Sequence, residues 1–280
     1  MTRTRVIAAL VMAPLAICAI LFLPTDWLAA VAAVVFLTGL WEWLRLAGLE
    51  DTLPRTVLLV LNLLLMVLMV WASAGSLVLF QIAALVGVGW WLLALLWLRF
   101  FNFGSTGGIA NLVKLAAGSF AVIPSWASLV LIHATGITQP QNQQNGHIWL
   151  LSALVLVWAA DSGAYFAGRS FGRHKLAPRI SPNKTWEGLL GGLIAGVVCS
   201  AGLALLAGLP MAQLPALLLV AAVAVLASVL GDLFESLLKR QAGAKDSGTL
   251  IPGHGGVLDR IDGVLAALPV FVIGKEIMGF

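Results

Sequence analysis

The sequence predicts an all-α polytopic integral membrane protein of about nine transmembrane helices, with its site in the C-terminal half at the cytoplasmic face. Three observations carry that expectation. Of the 280 residues, 61% are hydrophobic and only 10% are charged, whereas a soluble domain carries about a quarter charged residues. Runs of roughly 20 apolar residues, the length of a membrane-crossing helix, recur along the whole chain, and the mean hydropathy is +1.02. The basic residues fall almost entirely on one side of the alternating loops. Alternating ten-residue strands are missing, which argues against an outer-membrane barrel.

The helices follow in order. The first, 6–23, comes after Arg3 and Arg5, as in a signal peptide. No A-x-A-like cleavage site closes it and further spans follow, so it reads as a retained helix. Pro24-Thr25-Asp26 breaks the chain before 27–46, and Ser73-Ala74-Gly75-Ser76 parts 55–73 from 76–98. The fifth helix, 112–133, leads through polar, uncharged GITQPQNQQNGH (136–147) to the sixth, 148–167. The basic loop RSFGRHKLAPRISPNKTWEG precedes the seventh, 187–208, and Gly208-Leu209-Pro210 separates that from the eighth, 212–236. The ninth, 261–277, carries Lys275 and Glu276 near its end.

With the sides numbered alternately, 15 of the 16 lysines and arginines share the side of the N-terminus, and only Lys275 falls opposite. Excess Lys and Arg marks cytoplasmic loops, so the N-terminus is expected in the cytoplasm. Cys18 and Cys199 lie inside apolar spans and read as packing residues. Residues 1–147 hold four of the acids and 148–280 the other eight. The chain therefore divides into a scaffold of about five helices (1–147) and a site-bearing part of about four (148–280).

Two acids lie deep. Asp161 is about 9 Å and Asp232 about 10 Å from the cytoplasmic ends of their helices, at 1.5 Å rise per residue. An ionised carboxylate there costs several kcal/mol unless it meets a cation, a partner or water. An ion pair with a neighbouring helix is one resolution; metal coordination or an ion path is another. Asp232, Glu235, Ser236 and Lys239, spaced i, i+3, i+4 and i+7, share one face. Asp259 and Asp262, at i and i+3, open the ninth helix. They either complement its dipole or, beside a glycine-rich loop, offer oxygen ligands to a hard cation such as Mg²⁺.

Phosphate-binding elements surround these acids. Lys239, Arg240, Lys245 and Arg260 supply positive charge, and Gly253, Gly255 and Gly256 let backbone N–H groups approach an anion. Ser181 reads as an N-cap with Pro182 at the first helical position. That places Lys184 and Thr185 at a helix N-terminus, where anions bind. Arg173, Lys175 and Arg179 read as ordinary positive-inside charges. A GxSxG elbow, an HExxH helix and a Walker A loop are all missing. The residues alone suggest Mg²⁺-dependent chemistry on a phosphate substrate at the cytoplasmic membrane face.

One run is specific enough to compare with a family. Ser236-Leu-Leu-Lys239-Arg240, then Lys245-Asp246, then Pro252-Gly-His254-Gly-Gly-Val-Leu-Asp259-Arg260-Ile-Asp262 resembles the signature of phosphatidate cytidylyltransferases (CDP-diacylglycerol synthases). Ser181-Pro-Asn-Lys-Thr-Trp-Glu-Gly188 and Asp161-Ser-Gly-Ala-Tyr165 resemble further blocks of that family. Asn183 departs from it, standing where many members carry a second lysine.

The resemblance implies transfer of the cytidylyl group of CTP to phosphatidic acid, with Mg²⁺ as cofactor and K⁺ as a second metal. It also implies a homodimer in the inner membrane, with no nucleic-acid partner. Asp232, Asp259, Asp262 and Asp161 would hold metal. Asp232, Lys239, Asp259 and Asp262 would be catalytic. Ser181, Lys184, Thr185, Arg240, Lys245, His254 and Arg260 would bind substrate. Two rivals are weaker. A CTP-dependent polyprenol or dolichol kinase should lack the continuous KR…KD…HGG…DRxD run. A cation-coupled transporter should show paired broken helices in two related halves, whereas here the polar residues crowd one half.

Overall fold

The computed structural model describes residues 2–73, 76–99, 108–135, 146–206, 208–250 and 255–280, the side chains of 2–10, 108 and 109 excepted. Among the described residues there are nine α-helices: α1 (Thr2–Phe22), α2 (Thr25–Leu46), α3 (Thr52–Ala72), α4 (Val78–Arg99), α5 (Gly108–Ala134), α6 (Gly146–Phe171), α7 (Trp186–Leu206), α8 (Leu214–Gln241) and α9 (Leu258–Met278). Seven segments, those of α2 to α8, are long and apolar enough to cross a membrane. The chain is a polytopic helical membrane protein with one exception to the all-α expectation. Between α6 and α7, β1 (Lys175–Ala177) pairs antiparallel with β2 (Ser181–Thr185).

That hairpin corrects the helix start expected at Ser181. Ser181-Pro182 imitates a cap followed by a first-turn proline, but a residue preceding proline is pushed towards extended geometry. Pairing of Ser181 with Ala177 keeps it there. The helix cap is Thr185, whose Oγ1 accepts the N–H of Gly188 at 3.1 Å, the third residue on, as an N-cap should. Glu187 closes the base of the hairpin, its Oε2 accepting the backbone N–H groups of Arg173 (3.1 Å) and His174 (3.2 Å).

Small residues decide how the helices meet. The buried face of α7 is Gly188, Gly192, Gly196, Ser200 and Ala204, four apart. A Cβ on Gly192 would overlap the carbonyl of Ala160, and one on Gly191 the side chain of Ala167, so α6 and α7 touch backbone to backbone. Leu190, Ile194 and Val198 face outward. In a bilayer this is the expected arrangement, because lipid is as apolar as leucine and close packing has to supply the attraction.

Gly87 of α4 likewise admits Pro124 of α5 and Pro269 of α9. Pro269 has no N–H and leaves the carbonyl of Leu265, four residues earlier, without a helical partner. Trp91 Nε1 of α4 donates to that carbonyl at 2.9 Å. Phe234 of α8 is fully buried, with ring centroids 5.7, 5.8, 6.1 and 5.5 Å from those of Trp43, Trp90, Trp91 and Trp97. At 3.6 residues per turn, Phe234 projects opposite Asp232 and Ser236. The aromatic cluster thus anchors the apolar side of α8 and leaves its polar side turned to α9 and the hairpin.

Candidate active site

The site begins with a close approach. Gly231 of α8 lies against the backbone carbonyl of Asp262 of α9, where a Cβ would overlap. The neighbouring carboxylates, Asp232 and Asp262, are thereby brought side by side. Glu235, one turn beyond Asp232, completes a group in which one oxygen of each acid lies within 4.8 Å of the others. Glu235 is 1% exposed. Its Oε1 has no hydrogen-bond partner, while its Oε2 lies 2.6 Å from the Lys239 ammonium. Lys239 also donates to Asp259 Oδ1 at 2.7 Å. Lys184, carried on β2, reaches Asp232 Oδ2 at 2.5 Å, and Ser236 Oγ donates to Asp232 Oδ1 at 3.3 Å.

Asp161 of α6 lies ten residues before the end of its helix and Asp232 nine before the end of α8, so the expected similar depth holds. Asp161 lies outside the three-carboxylate group but in the field of Asp232, Lys184 and Arg260. Around this corner five carboxylates (161, 232, 235, 259 and 262) face three cations (184, 239 and 260). Carboxylates crowded in this way repel one another unless a proton or a further cation offsets their charge. Three hard oxygen donors, one of them an unpartnered buried oxygen, fit a divalent ion such as Mg²⁺.

Asp259 is turned elsewhere. Its Oδ1 takes Lys239. Its Oδ2 accepts the N–H and the hydroxyl of Ser247, both at 2.9 Å, and the N–H of Gly256 at 2.8 Å. Gly255 follows this curve with φ of +85°, and a Cβ there would overlap Asp259 Oδ2. Asp259 therefore folds the glycine loop onto the start of α9, and the structure places it outside the three-carboxylate group. The Gly256 N–H, expected to face an anion, is occupied by Asp259 instead.

The other expected residues divide in the same way. Arg240 Nε donates to the carbonyl of Ile180 at 3.2 Å, tying α8 to the hairpin. Lys245 and Arg260 are exposed at the rim. Ser181 sits opposite Ala177 in the hairpin, and Thr185 is buried as the cap of α7. His254 and Gly253 lie outside the described residues.

Two acids were not singled out from the sequence. Glu235 stood on the polar face of α8 without being expected as a ligand. Glu42 of α2 is 3% exposed; its Oε2 accepts the Leu258 N–H at 2.8 Å and lies, like Asp259 Oδ2, 2.9 Å from Ser247 Oγ, whose single proton the two carboxylates share. One turn on, Arg45 Nη2 donates to the carbonyl of Ser247 at 3.2 Å. Glu42 and Arg45 thus tie α2 to the loop before α9. The available signal was that Glu42 is the one acid expected inside a span of the first 147 residues.

The sequence matches known proteins along most of its length. Residues 3–278 match the model of the Cytidylyltransferase family. The chain is similar to the phosphatidate cytidylyltransferase of Pseudomonas aeruginosa, with 41% identity over 275 residues, covering 97% of this chain and 96% of that one. It is also 37% identical over 285 residues to the phosphatidate cytidylyltransferase of Haemophilus influenzae, covering 97% of each.

Proposed function

This chain belongs to the cytidylyltransferase family, and we propose on that premise that Asp232, Glu235 and Asp262 hold the Mg²⁺ of its nucleotide complex. The chain is a nucleotidyltransferase of phospholipid biosynthesis that transfers the cytidylyl group of CTP to phosphatidic acid, giving CDP-diacylglycerol and pyrophosphate. A phosphate oxygen of the lipid bonds to the α-phosphorus of CTP as the bond from that phosphorus to the bridging oxygen of the β-phosphate breaks. Pyrophosphate leaves with that electron pair. Bound at the three carboxylates, the metal would neutralise phosphate charge, which is most of what such a transfer needs.

The observation that carries the metal assignment is the unpartnered Oε1 of buried Glu235 beside two further carboxylates. Lys184 and Lys239, which pair with Asp232 and Glu235, become available to phosphate oxygens once those acids share their charge with a cation. Asp259 keeps the loop and Lys239 in place. Arg240, Lys245 and Arg260 line the rim from which a nucleotide triphosphate arrives. The positive-inside distribution supports nine spans with the N-terminus and the site in the cytoplasm, next to the lipid headgroup. The family resemblance supports a homodimer and K⁺ as a second ion.

The test is turnover of labelled CTP by the detergent-solubilised protein, with phosphatidate or a polyprenol as acceptor and with Mg²⁺ supplied or chelated. Product only with phosphatidate and only with the divalent ion is expected. Product on polyprenol would overturn the acceptor, and full activity under chelation would overturn the metal.

A further inference from the structure

In its last three turns α6 presents polar groups to the outside. Asp161, Tyr165 and Arg169, four residues apart, form one exposed stripe, turned away from the small residues that meet α7. Polar side chains within a membrane-crossing helix normally face the protein interior or a water-filled cavity. Bare hydrocarbon is the wrong surrounding for them. The stripe begins at the carboxylates, where Asp161 lies in the field of Asp232, Lys184 and Arg260. It ends at Arg169, two residues before the end of α6, and spans about 12 Å at 1.5 Å rise per residue.

Arg169 and Tyr165 form a unit. Arg169 Nη1 donates to the Tyr165 hydroxyl at 2.9 Å, so the guanidinium runs back along the helix towards the carboxylates. An arginine near a helix end more commonly reaches out to the interface. The Tyr165 ring is 58% exposed and braced by Phe166, edge-on with centroids 5.4 Å apart. Among the described residues, no carboxylate lies within ion-pairing distance of Arg169. Its partner is a neutral phenol, which offsets no charge. Four of the five guanidinium N–H groups remain, and the phenol keeps its own proton to donate.

We propose that Arg169 and Tyr165 receive the phosphate of phosphatidic acid as it enters from the bilayer, the guanidinium holding two oxygens and the phenol donating to a third. The inference rests on the transferase function stated above and adds the place where the acceptor docks. A guanidinium fork matches two phosphate oxygens at once. The surroundings point to an amphiphile. Phe166, 100° round the helix from Tyr165, and Trp186 at the start of α7 are exposed and offer apolar surface to acyl chains, which a nucleotide lacks. In-line displacement needs acceptor and leaving pyrophosphate on opposite sides of the α-phosphorus. The stripe on α6 is a wall separate from the rim that Arg240 and Lys245 form at the end of α8.

Steady-state kinetics in mixed micelles with Mg²⁺ test the assignment. In Arg169→Ala the KM for phosphatidate is expected to rise at least ~10-fold, about the worth of a hydrogen bond to a charged group. The KM for CTP and the size of the detergent-solubilised particle should stay as in wild type. A raised KM for CTP alone would assign Arg169 to the nucleotide, and a smaller particle would assign the stripe to contact with a second copy of this chain. Either result overturns the docking site, as do unchanged constants or an equal rise in both.

If Arg169→Ala does not fold, Tyr165→Phe decides, because the ring and its packing against Phe166 are kept. A KM for phosphatidate raised about 3-fold, the worth of one neutral hydrogen bond, supports the site, and an unchanged one sinks it. Wild type that makes no product from phosphatidate would overturn the acceptor itself, and the docking site with it.

Discussion

The two ends of the helix bundle bury ionisable groups in opposite ways. At the end away from the site, Lys275 is as buried as many core residues, 8% exposed, and its ammonium lies 5.2 Å from the ring centroid of Trp149. Nearby, His133 and His147 both donate to the carbonyl of Ile20, at 3.0 and 2.7 Å, and Thr25 lies 2.9 Å from the other nitrogen of His133. There, ionisable groups meet a ring face, a hydroxyl and a backbone carbonyl, with Glu276 close enough to attract Lys275. At the site end, carboxylates face carboxylates. Among the described residues, the buried ionisable side chains with unpartnered oxygens are Glu42 and Glu235, both at that end. Among the described residues, what sets the site end apart is an excess of one sign, with carboxylate oxygens left without a hydrogen-bond partner.

If that contrast is right, the largest effect should come from the excess itself. Asp262→Asn or Glu235→Gln is expected to cost at least ~100-fold in turnover, the scale of one electrostatic contact to a transferring group. Asp262→Asn should match or exceed wild type in thermal stability without metal, since like-charge repulsion is relieved, whereas Glu235→Gln also breaks the 2.6 Å pair with Lys239. A melting temperature of Asp262→Asn that falls along with activity would make that acid structural. Asp259→Asn should behave the other way. It sets an NH₂ among donors, at about 1–3 kcal/mol for each group left unsatisfied, so the melting temperature should drop with activity; unaltered stability would refute the clamp.

Lys184→Ala should be milder, raising the KM of one substrate about 10-fold with little change in kcat; unchanged kinetics would leave Lys184 a topological charge. Least of all, Lys275→Met at the far end should hold turnover within about twofold and stability near wild type, because an apolar replacement of a buried charge is often neutral. A collapse of Lys275→Met in either measure would erase the distinction between the ends.

The sequence was most legible where one physical rule acted alone. Helices α2 to α8 follow from hydropathy, which in a bilayer has no competitor. Gly188, Gly192 and Gly196 could have been read as a packing face by the same reasoning. The hairpin was misread because Ser181-Pro182 satisfies two local rules at once, capping and strand geometry, and only pairing with residues 175–177 chooses between them. Thr185, expected in the first turn of that helix, is its cap. Asp232 and Asp262 were expected together and are together. Asp259, expected with them, is held by Ser247 and Gly256, a contact set by loop curvature that spacing does not reveal. Glu42 meets its partners more than 200 residues later in the chain, and no local pattern reports a meeting at that distance.

The backbone contact between α6 and α7 has a consequence for Lys184. Two helices that touch along glycines behave as one thick rod, and the hairpin joining them is mounted at its tip, further fastened by Glu187 and Arg240. A lysine on a loose loop would sample many directions and lose that freedom each time a substrate arrived. Lys184 has given up most of its freedom during folding, so less entropy is lost on binding. The glycines of α7, without side chains of their own, thereby help to hold Lys184 ready for an anion.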